Sequence, residues 1–392
     1  MADLPYAAFD ADNHYYEAPD AFTRHIDPKL SKRAMQWAQV GGRECLLVGG
    51  KVNKFIPNPT FDPVAKPGCL DEYFRGRNPD GKSIRDIFGD LEPLNPAYRR
   101  RDDRLKLMDT QNLGATFMFP TLGVGMEEAL QDDPEAMLGA FSAFNRWLDD
   151  DWGFAYQERI FTAPYLTLAN VDWAISELEW ALEHDARVLV MRSSPAITAD
   201  GNFSPADPRF DPFWSRVNEA GITVAYHSGD AGYNRFLSYW GFNQEFKAFD
   251  FNPARLCMSW DPIHDVISSL VCGELFVRFP RLRIATIESG SSWVPRLTAK
   301  LKKAYGQMPF AFQADPVEKL REHVWVSPYY EDDLIALRDS HGADRILFGS
   351  DFPHGEGLAE PTDFIHDLDG YSDADIKLVM RDNGYGLIQP LQ

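Results

Sequence analysis

Short apolar runs recur along the chain, and each is followed by a stretch of helical period. They read YAAFDAD (6–12), GATFMFP (114–120), APYLTLAN (163–170), ARVLVMR (186–192), GITVAYHS (221–228), LRIATIES (282–289), HVWVSP (323–328) and DRILFGSD (344–351). Between them, VDWAISELEWALEHD (171–185) and DPRFDPFWSRVNEAG (207–221) carry apolar residues at helical spacing. Strands that are apolar throughout, rather than alternating, belong to a parallel sheet covered on both faces. Eight of them interleaved with helices predict an α/β fold, a (β/α)8 TIM barrel rather than an open sheet. Neither GxGxxG nor GxxxxGK[ST] follows an early strand, which removes the dinucleotide and P-loop readings.

A barrel takes roughly 250 residues, and the chain has 392. The excess lies mostly between the first two strands, in an insertion of roughly 25–100. Within it, ECLLVGGKVNKFI (44–56) predicts a hairpin with a Gly-Gly turn. Residues 229–262, rich in Tyr, Phe, Trp and Asn, predict a second long loop. Nothing reads as a linker, so 1–392 is expected to be one domain elaborated after strand one.

Composition narrows the function. The chain is 44% hydrophobic and 25% charged, with a net charge of −20. Such a field repels phosphate backbones, so neither nucleic acid nor a membrane surface is an expected partner. No apolar run reaches the roughly 18 residues of a membrane span, and no signal core opens the sequence, so a cytoplasmic location is expected. Four scattered cysteines without a CxxC pair argue against disulfides and thiolate zinc sites. With 27 Phe, 15 Tyr and 10 Trp, a large core or a pocket for a small organic molecule is easily lined.

In an α/β barrel the chemistry gathers at the C-terminal ends of the strands. Strand one ends in Asp12 and His14, two residues apart and so on one side of the pleat. Strand five ends in His227, strand six in Glu288 and strand eight in Asp351. Each alone has an ordinary explanation, a helix cap or a satisfied core histidine. Together they would crowd imidazoles and carboxylates into one pocket, at a cost that a divalent cation offsets.

These segments carry a resemblance. DADNHYYE, AYHSGD, RFPRLRIATIESGSSWVP and RILFGSDFPHGEG resemble the amidohydrolase-related family, nearest the branch typified by aminocarboxymuconate-semialdehyde decarboxylase. FNRWLDDDW (144–152) and a closing helix VMRDNGYGLI (379–388) are lesser matches. The resemblance implies a metal-dependent barrel of the hydrolase type. Where that family has His-x-His, this chain has Asp12 and His14; the family's other ligands fall on His227 and Asp351. The family's strand-six histidine falls on Glu288, and strand four ends in Arg192 and Ser193, with no bridging lysine or carboxylate.

The expected cofactor is one divalent ion held by Asp12, His14, His227 and Asp351. Zinc ranks first, with manganese or iron as alternatives and a second ion near Glu288 as a further option. Two mechanisms fit. In hydrolysis the cation activates water and Asp351 or Glu288 takes its proton; in decarboxylation the substrate chelates the ion and an acid protonates the carbon. Replacement of the family histidine by Glu288 places hydrolysis of a small organic acid, amide or ester slightly ahead. Non-oxidative decarboxylation is the alternative, followed by an iron-dependent oxygenase and a catalytically silent structural subunit.

Further candidates surround this set. His354 is expected to bond substrate, act in catalysis or complete a second metal site, with a plain loop residue equally weighted. Arg192 is a candidate for a substrate carboxylate, against a buried ion pair. Trp293, Tyr226, Tyr233, Trp240 and Phe242 can wall an apolar pocket or fill the core. Glu17 reads as a surface helix start, with orienting an arginine or a ligand as the alternative, and His264 as structural, with lining of the pocket as the lesser option. The chain is expected to form a homo-oligomer, with a related barrel subunit as a second option.

Overall fold

The protein was analysed as a computed structural model, which describes residues 4–242, 247, 252–258 and 261–389. Strand β1 spans Ala8–Tyr15 and is buried along its whole length. The insertion then folds as an antiparallel sheet of β2 (Met35–Val40), β3 (Arg43–Val48) and β4 (Lys51–Val52). Gly49 and Gly50 turn the expected hairpin with φ of 56° and 74°, a left-handed pair open to glycine without strain.

The barrel continues with β5 (Leu113–Pro120), β6 (Ile160–Thr162) and β7 (Val188–Arg192). A small ribbon, β8 (Ala196–Thr198) and β9 (Gly201–Phe203), precedes β10 (Thr223–His227), β11 (Arg283–Ile287) and β12 (Val324–Val326). The parallel pairings run β1–β5–β6 and β7–β10–β11–β12. Less regular pairings join these two sheets. Past β6, Val190 N donates to Pro164 O and Leu166 N to Val190 O, both at 3.0 Å. On the other side, Leu347 N donates to Val326 O, Ala11 N to Phe348 O and Asp351 N to Asp12 O, each at 2.8 Å. The eighth stave, 346–352, thereby lies between β12 and β1, and the circuit is closed.

The third stave differs from its expected span. Its regular part is Ile160–Thr162, wholly upstream of the 163–170 run. Pro164 has no N–H to give to a ladder, so 163–166 follows the sheet through the amides of Ala163 and Leu166 and the Pro164 carbonyl.

The apolar faces of the staves and of their covering helices merge into one core from Leu4 to Leu387. It contains the fully buried Trp147, Trp152, Trp214 and Trp293. The closing helix, interrupted by a π turn at Leu378–Asp382, lies so close to β1 that a Cβ on Gly384 would come within 2.3 Å of Phe9. In the 229–262 loop, residues 243–246, 248–251 and 259–260 lie outside the described residues. The remainder includes two short helices, Asn234–Ser238 and Pro253–Cys257. Among the described residues no helix is long and apolar enough to cross a membrane.

Candidate functional site

The end of β1 is shaped by an irregularity in its pairing with β5, between Asp10 and Asn13. Such a bulge re-aims side chains where a strand ends. Buried Asp10 braces it, accepting from Ser350 N at 3.0 Å, Ser350 Oγ at 2.5 Å and Asn13 Nδ2 at 2.8 Å. Arg104, fully buried, braces it from outside by donating to Asn13 Oδ1 at 2.5 Å, His14 O at 2.6 Å and Ala97 O at 2.8 Å.

On this support the expected residues converge. Asp12 Oδ1 lies 3.4 Å from His14 Nε2 and 3.7 Å from His227 Nε2. Asp351 Oδ1 is 3.4 Å from His14 Nε2. Glu288 Oε2 reaches both imidazoles, His227 Nε2 at 3.4 Å and His14 Nε2 at 3.7 Å. Most of these separations exceed a good hydrogen bond. Among the described residues, Asp12 Oδ1, His14 Nε2 and His227 Nε2 are buried without a hydrogen-bond partner.

Orphaned polar atoms of this kind are costly unless something joins them. The donor atoms of Asp12, His14 and His227 lie within 4.8 Å of one another, and nitrogen with carboxylate oxygen is a donor set suited to a divalent ion. The residues present fit the group. His227 Nδ1 faces the Ser228 carbonyl at 2.7 Å, which fixes the ring and leaves Nε2 toward the cluster. A second triad, His14, Asp351 and His354, shares His14 but does not include Glu288. The expected second ion beside Glu288 thus meets no such triad among the described residues; Glu288 stands next to the first triad, near His14 and His227, without belonging to it.

The electrostatics express the crowding. Burial alone would lift the Asp12 carboxyl, but His14 and His227 outweigh it and hold Asp12 below the usual carboxylate range. Burial, reinforced by His354, pushes His14 down to about 3. His227 is raised against its burial by Asp12 and Glu288. Glu288 is pushed well up by burial and by Asp351, and Asp351 by burial and by Glu356.

Beside the cluster opens a cavity of about 380 Å³, lined by Ser193, Ser228 and Ser289 and by Arg255, Arg296 and Tyr329. The three serines directly follow Arg192, His227 and Glu288, so the cavity occupies the C-terminal mouth of adjoining staves. Its volume suits a small organic ligand.

Other expected residues are placed differently. Arg192 is buried against Glu128, with Nη1 to Oε2 at 3.0 Å and Nε donating to Ser194 Oγ at 2.5 Å, the buried ion pair rather than an open substrate contact. Trp293 is fully buried and its N–H is given to Gly290 O at 3.0 Å, so its packing is that of a core residue rather than a pocket wall. Tyr226 is also core, whereas Trp240 and Phe242 are exposed. Tyr233 OH bonds Asp265 at 3.0 Å. His354 enters the cluster through Asp351 Oδ1, at 2.6 Å.

Glu17 is corrected outright. It is buried, and its Oε1 accepts from Leu122 N at 2.8 Å and Gly123 N at 3.0 Å, tying the chain after β1 to the loop after β5. Sequence reasoning missed Asp10 and Arg104 as supports and Arg255 and Arg296 as lining. Asp10 stood in the DADNH signal; nothing in the patterns around the other three distinguishes them from surface arginines.

A family model described as amidohydrolase matches residues 79–385, most of the chain. The chain belongs to the amidohydrolase family. It is 43% identical to an amidohydrolase from Mycobacterium avium subsp. paratuberculosis K-10, over 99% of this chain and 100% of that one, with a TM-score of 0.93. A 2,6-dihydroxybenzoate decarboxylase from Rhizobium is 19% identical over 83% of this chain and 96% of that one, TM-score 0.59. A dihydroxybenzoic acid decarboxylase from Polaromonas sp. JS666, solved with manganese and 2-nitroresorcinol, is 15% identical over 82% and 93%, TM-score 0.54. At these identities the last two likenesses are of fold. The amidohydrolase-family chain is an enzyme, and a divalent metal accords with its family and its orphaned donors.

Proposed function

We propose that this enzyme is a metal-dependent, non-oxidative decarboxylase of a small carboxylated organic acid. The observation that carries the reading is the placement of the Glu288 carboxyl, whose Oε2 lies 3.4 Å from His227 Nε2 and 3.7 Å from His14 Nε2 at the barrel mouth, within reach of a substrate held there. In the metal-free protein burial and Asp351 raise this carboxyl, a direction that favours the acid form which cleavage of a C–CO₂⁻ bond requires. The sequence-based order, with hydrolysis ahead, rested on Glu288 acting as a base; the two decarboxylases that share the fold support the other order.

Asp12, His14, His227 and Asp351 would hold the ion, for which manganese joins zinc as a leading candidate. When bound, it would supply a positive charge to chelate and polarise substrate oxygens. The chain's own groups do the rest. The serines and arginines of the mouth orient the substrate, the cavity walls exclude water, and Glu288 delivers the proton to the carbon that loses CO₂. Solvent at the mouth returns a proton to Glu288. Hydrolysis of an amide or ester is the second reading, supported by the 43% identical relative being an amidohydrolase.

A manganese- or zinc-replete screen of carboxylated phenols, amides and lactones tests this, following CO₂, hydrolysis products and O₂ uptake together. CO₂ release without O₂ uptake is expected. Hydrolysis products without CO₂ would overturn the proposal.

A further inference from the structure

Thr121 directly follows β5 and is buried. Its hydroxyl has one proton, and Tyr15 O, at 2.8 Å, can only accept. The hydroxyl therefore donates to Tyr15, and its 3.0 Å contact with His354 Nε2 must run the other way, with the imidazole donating. His354 thus carries a proton on Nε2, and its 2.6 Å contact from Nδ1 to Asp351 Oδ1 needs a second proton, on Nδ1 or on the carboxyl, to be a hydrogen bond. The same ring stacks on His14, with centroids 4.1 Å apart and planes inclined by 32°. One imidazole, anchored by one hydroxyl, touches two candidate ligands from two different staves.

We propose that Thr121 is a positioning residue for the metal centre, acting through His354 on Asp351 and His14. The inference rests on the reading above that those two residues hold the ion. Without the hydroxyl, His354 loses the contact that fixes its Nε2 end. A rotated ring would present carbon to Asp351 and tilt against His14, so two ligands would loosen together. A group bonded to a ligand sets its orientation, and losing one typically costs 10–100-fold in affinity; Thr121 stands one step further out, behind His354, so the lower end, about tenfold, applies.

The test uses metal-free full-length protein titrated with Mn²⁺, the free ion being read by electron paramagnetic resonance. Thr121→Val keeps the shape and removes the hydroxyl; Thr121→Ser keeps the hydroxyl. Thr121→Val is expected to bind Mn²⁺ about tenfold more weakly, and Thr121→Ser close to wild type. Wild-type affinity in Thr121→Val overturns the proposal. So does equal weakening in Thr121→Ser, which would assign the effect to packing. Full Mn²⁺ binding by His227→Ala would instead sink the metal reading on which the inference rests. If Thr121→Val fails to fold, Thr121→Ala against Thr121→Ser makes the same comparison.

Discussion

Glu288 and Asp351 end staves separated by β12, yet in the same unusual backbone conformation, with φ of 48° and 56°, and both bring a carboxylate oxygen to His14 Nε2. A left-handed residue other than glycine costs of order 1–3 kcal/mol and persists only where the surroundings impose it. Here they do. Asp351 N is held by Asp12 O at 2.8 Å, and Glu288 O accepts from Tyr329 OH at 2.9 Å. The strain aims two carboxyls at one imidazole, an arrangement folding alone does not reward.

Glu288→Gln should therefore separate function from stability. The amide keeps the shape but cannot deliver a proton, so turnover should fall by about 10²–10⁴, with metal content retained. Glu288 is raised above its unfolded value. Its contribution to stability is present below pH about 4.5 and is lost as pH rises toward the folded pKa. The metal-free variant should thus unfold at a higher temperature than wild type at pH 7, with the gain fading toward pH 4.5. Thermal melts at the two pH values check this; a variant less stable at pH 7 would contradict it.

Glu17 provides a second pH signature, away from the metal. Burial pushes its carboxyl up to about 7, against the backbone N–H groups of Leu122 and Gly123. Between about pH 4.5 and 7 the unfolded chain has released a proton that the folded protein still holds, so this residue erodes stability as pH rises. Glu17→Gln mimics the protonated form. Relative to wild type it should gain up to about 1.4 kcal/mol per pH unit across that window, and nothing below it. His14, lowered to about 3, has the opposite slope, losing stability as pH falls from about 6.5, but it is present in both proteins and cancels in the difference. Urea midpoints from pH 4 to 7 read the result. A pH-independent difference would refute it.

Arg104 is predicted to be the most damaging single position behind the site. It gives buried hydrogen bonds to Asn13, His14 and Ala97, and burial lowers its pKa only to about 10, so it remains charged at neutral pH. Arg104→Met fills similar space and orphans three acceptors. A loss of about 3–5 kcal/mol is expected, since each buried acceptor left without a donor costs about 1–3 kcal/mol. Denaturant unfolding measures it, and a loss below about 1 kcal/mol, the scale of an exposed charge pair, would reject the role.

What sequence could and could not reveal follows from the range of each signal. The staves were legible because each is a local apolar run, and four ligand-type residues were legible because chemistry follows strand ends in a barrel. Stave three was misplaced because Pro164 changes the hydrogen bonding without changing hydropathy. Glu17 was misread because its partners, Leu122 and Gly123, lie more than a hundred residues away. Arg104 sits in the helix Arg101–Thr110 among charges typical of an exposed face, and only the closure of β1 against that helix buries it. Trp293 and Arg192 follow strand ends as a substrate contact would, yet Gly290 and Glu128 had already claimed their polar atoms.

The proton assigned to Glu288 leaves a trace that distinguishes the two chemistries. In decarboxylation the C–CO₂⁻ bond breaks, its electron pair stays on the carbon, CO₂ departs, and one proton fills the vacated position. A carboxyl whose side chain is 24% exposed exchanges with solvent between turnovers. In ²H₂O each product molecule should then carry one deuterium on the carbon that bore the carboxylate, and Glu288→Gln should slow its appearance in step with CO₂ release. Hydrolysis leaves the carbon skeleton unlabelled and instead places ¹⁸O from labelled water in the product acid. Turnover of a carboxylated phenol and, in parallel, of an amide and a lactone in doubly labelled water, read by mass spectrometry, reports both. Carbon-bound deuterium with CO₂ is the expected result; ¹⁸O in an acid product, without CO₂, would return Glu288 to the role of base.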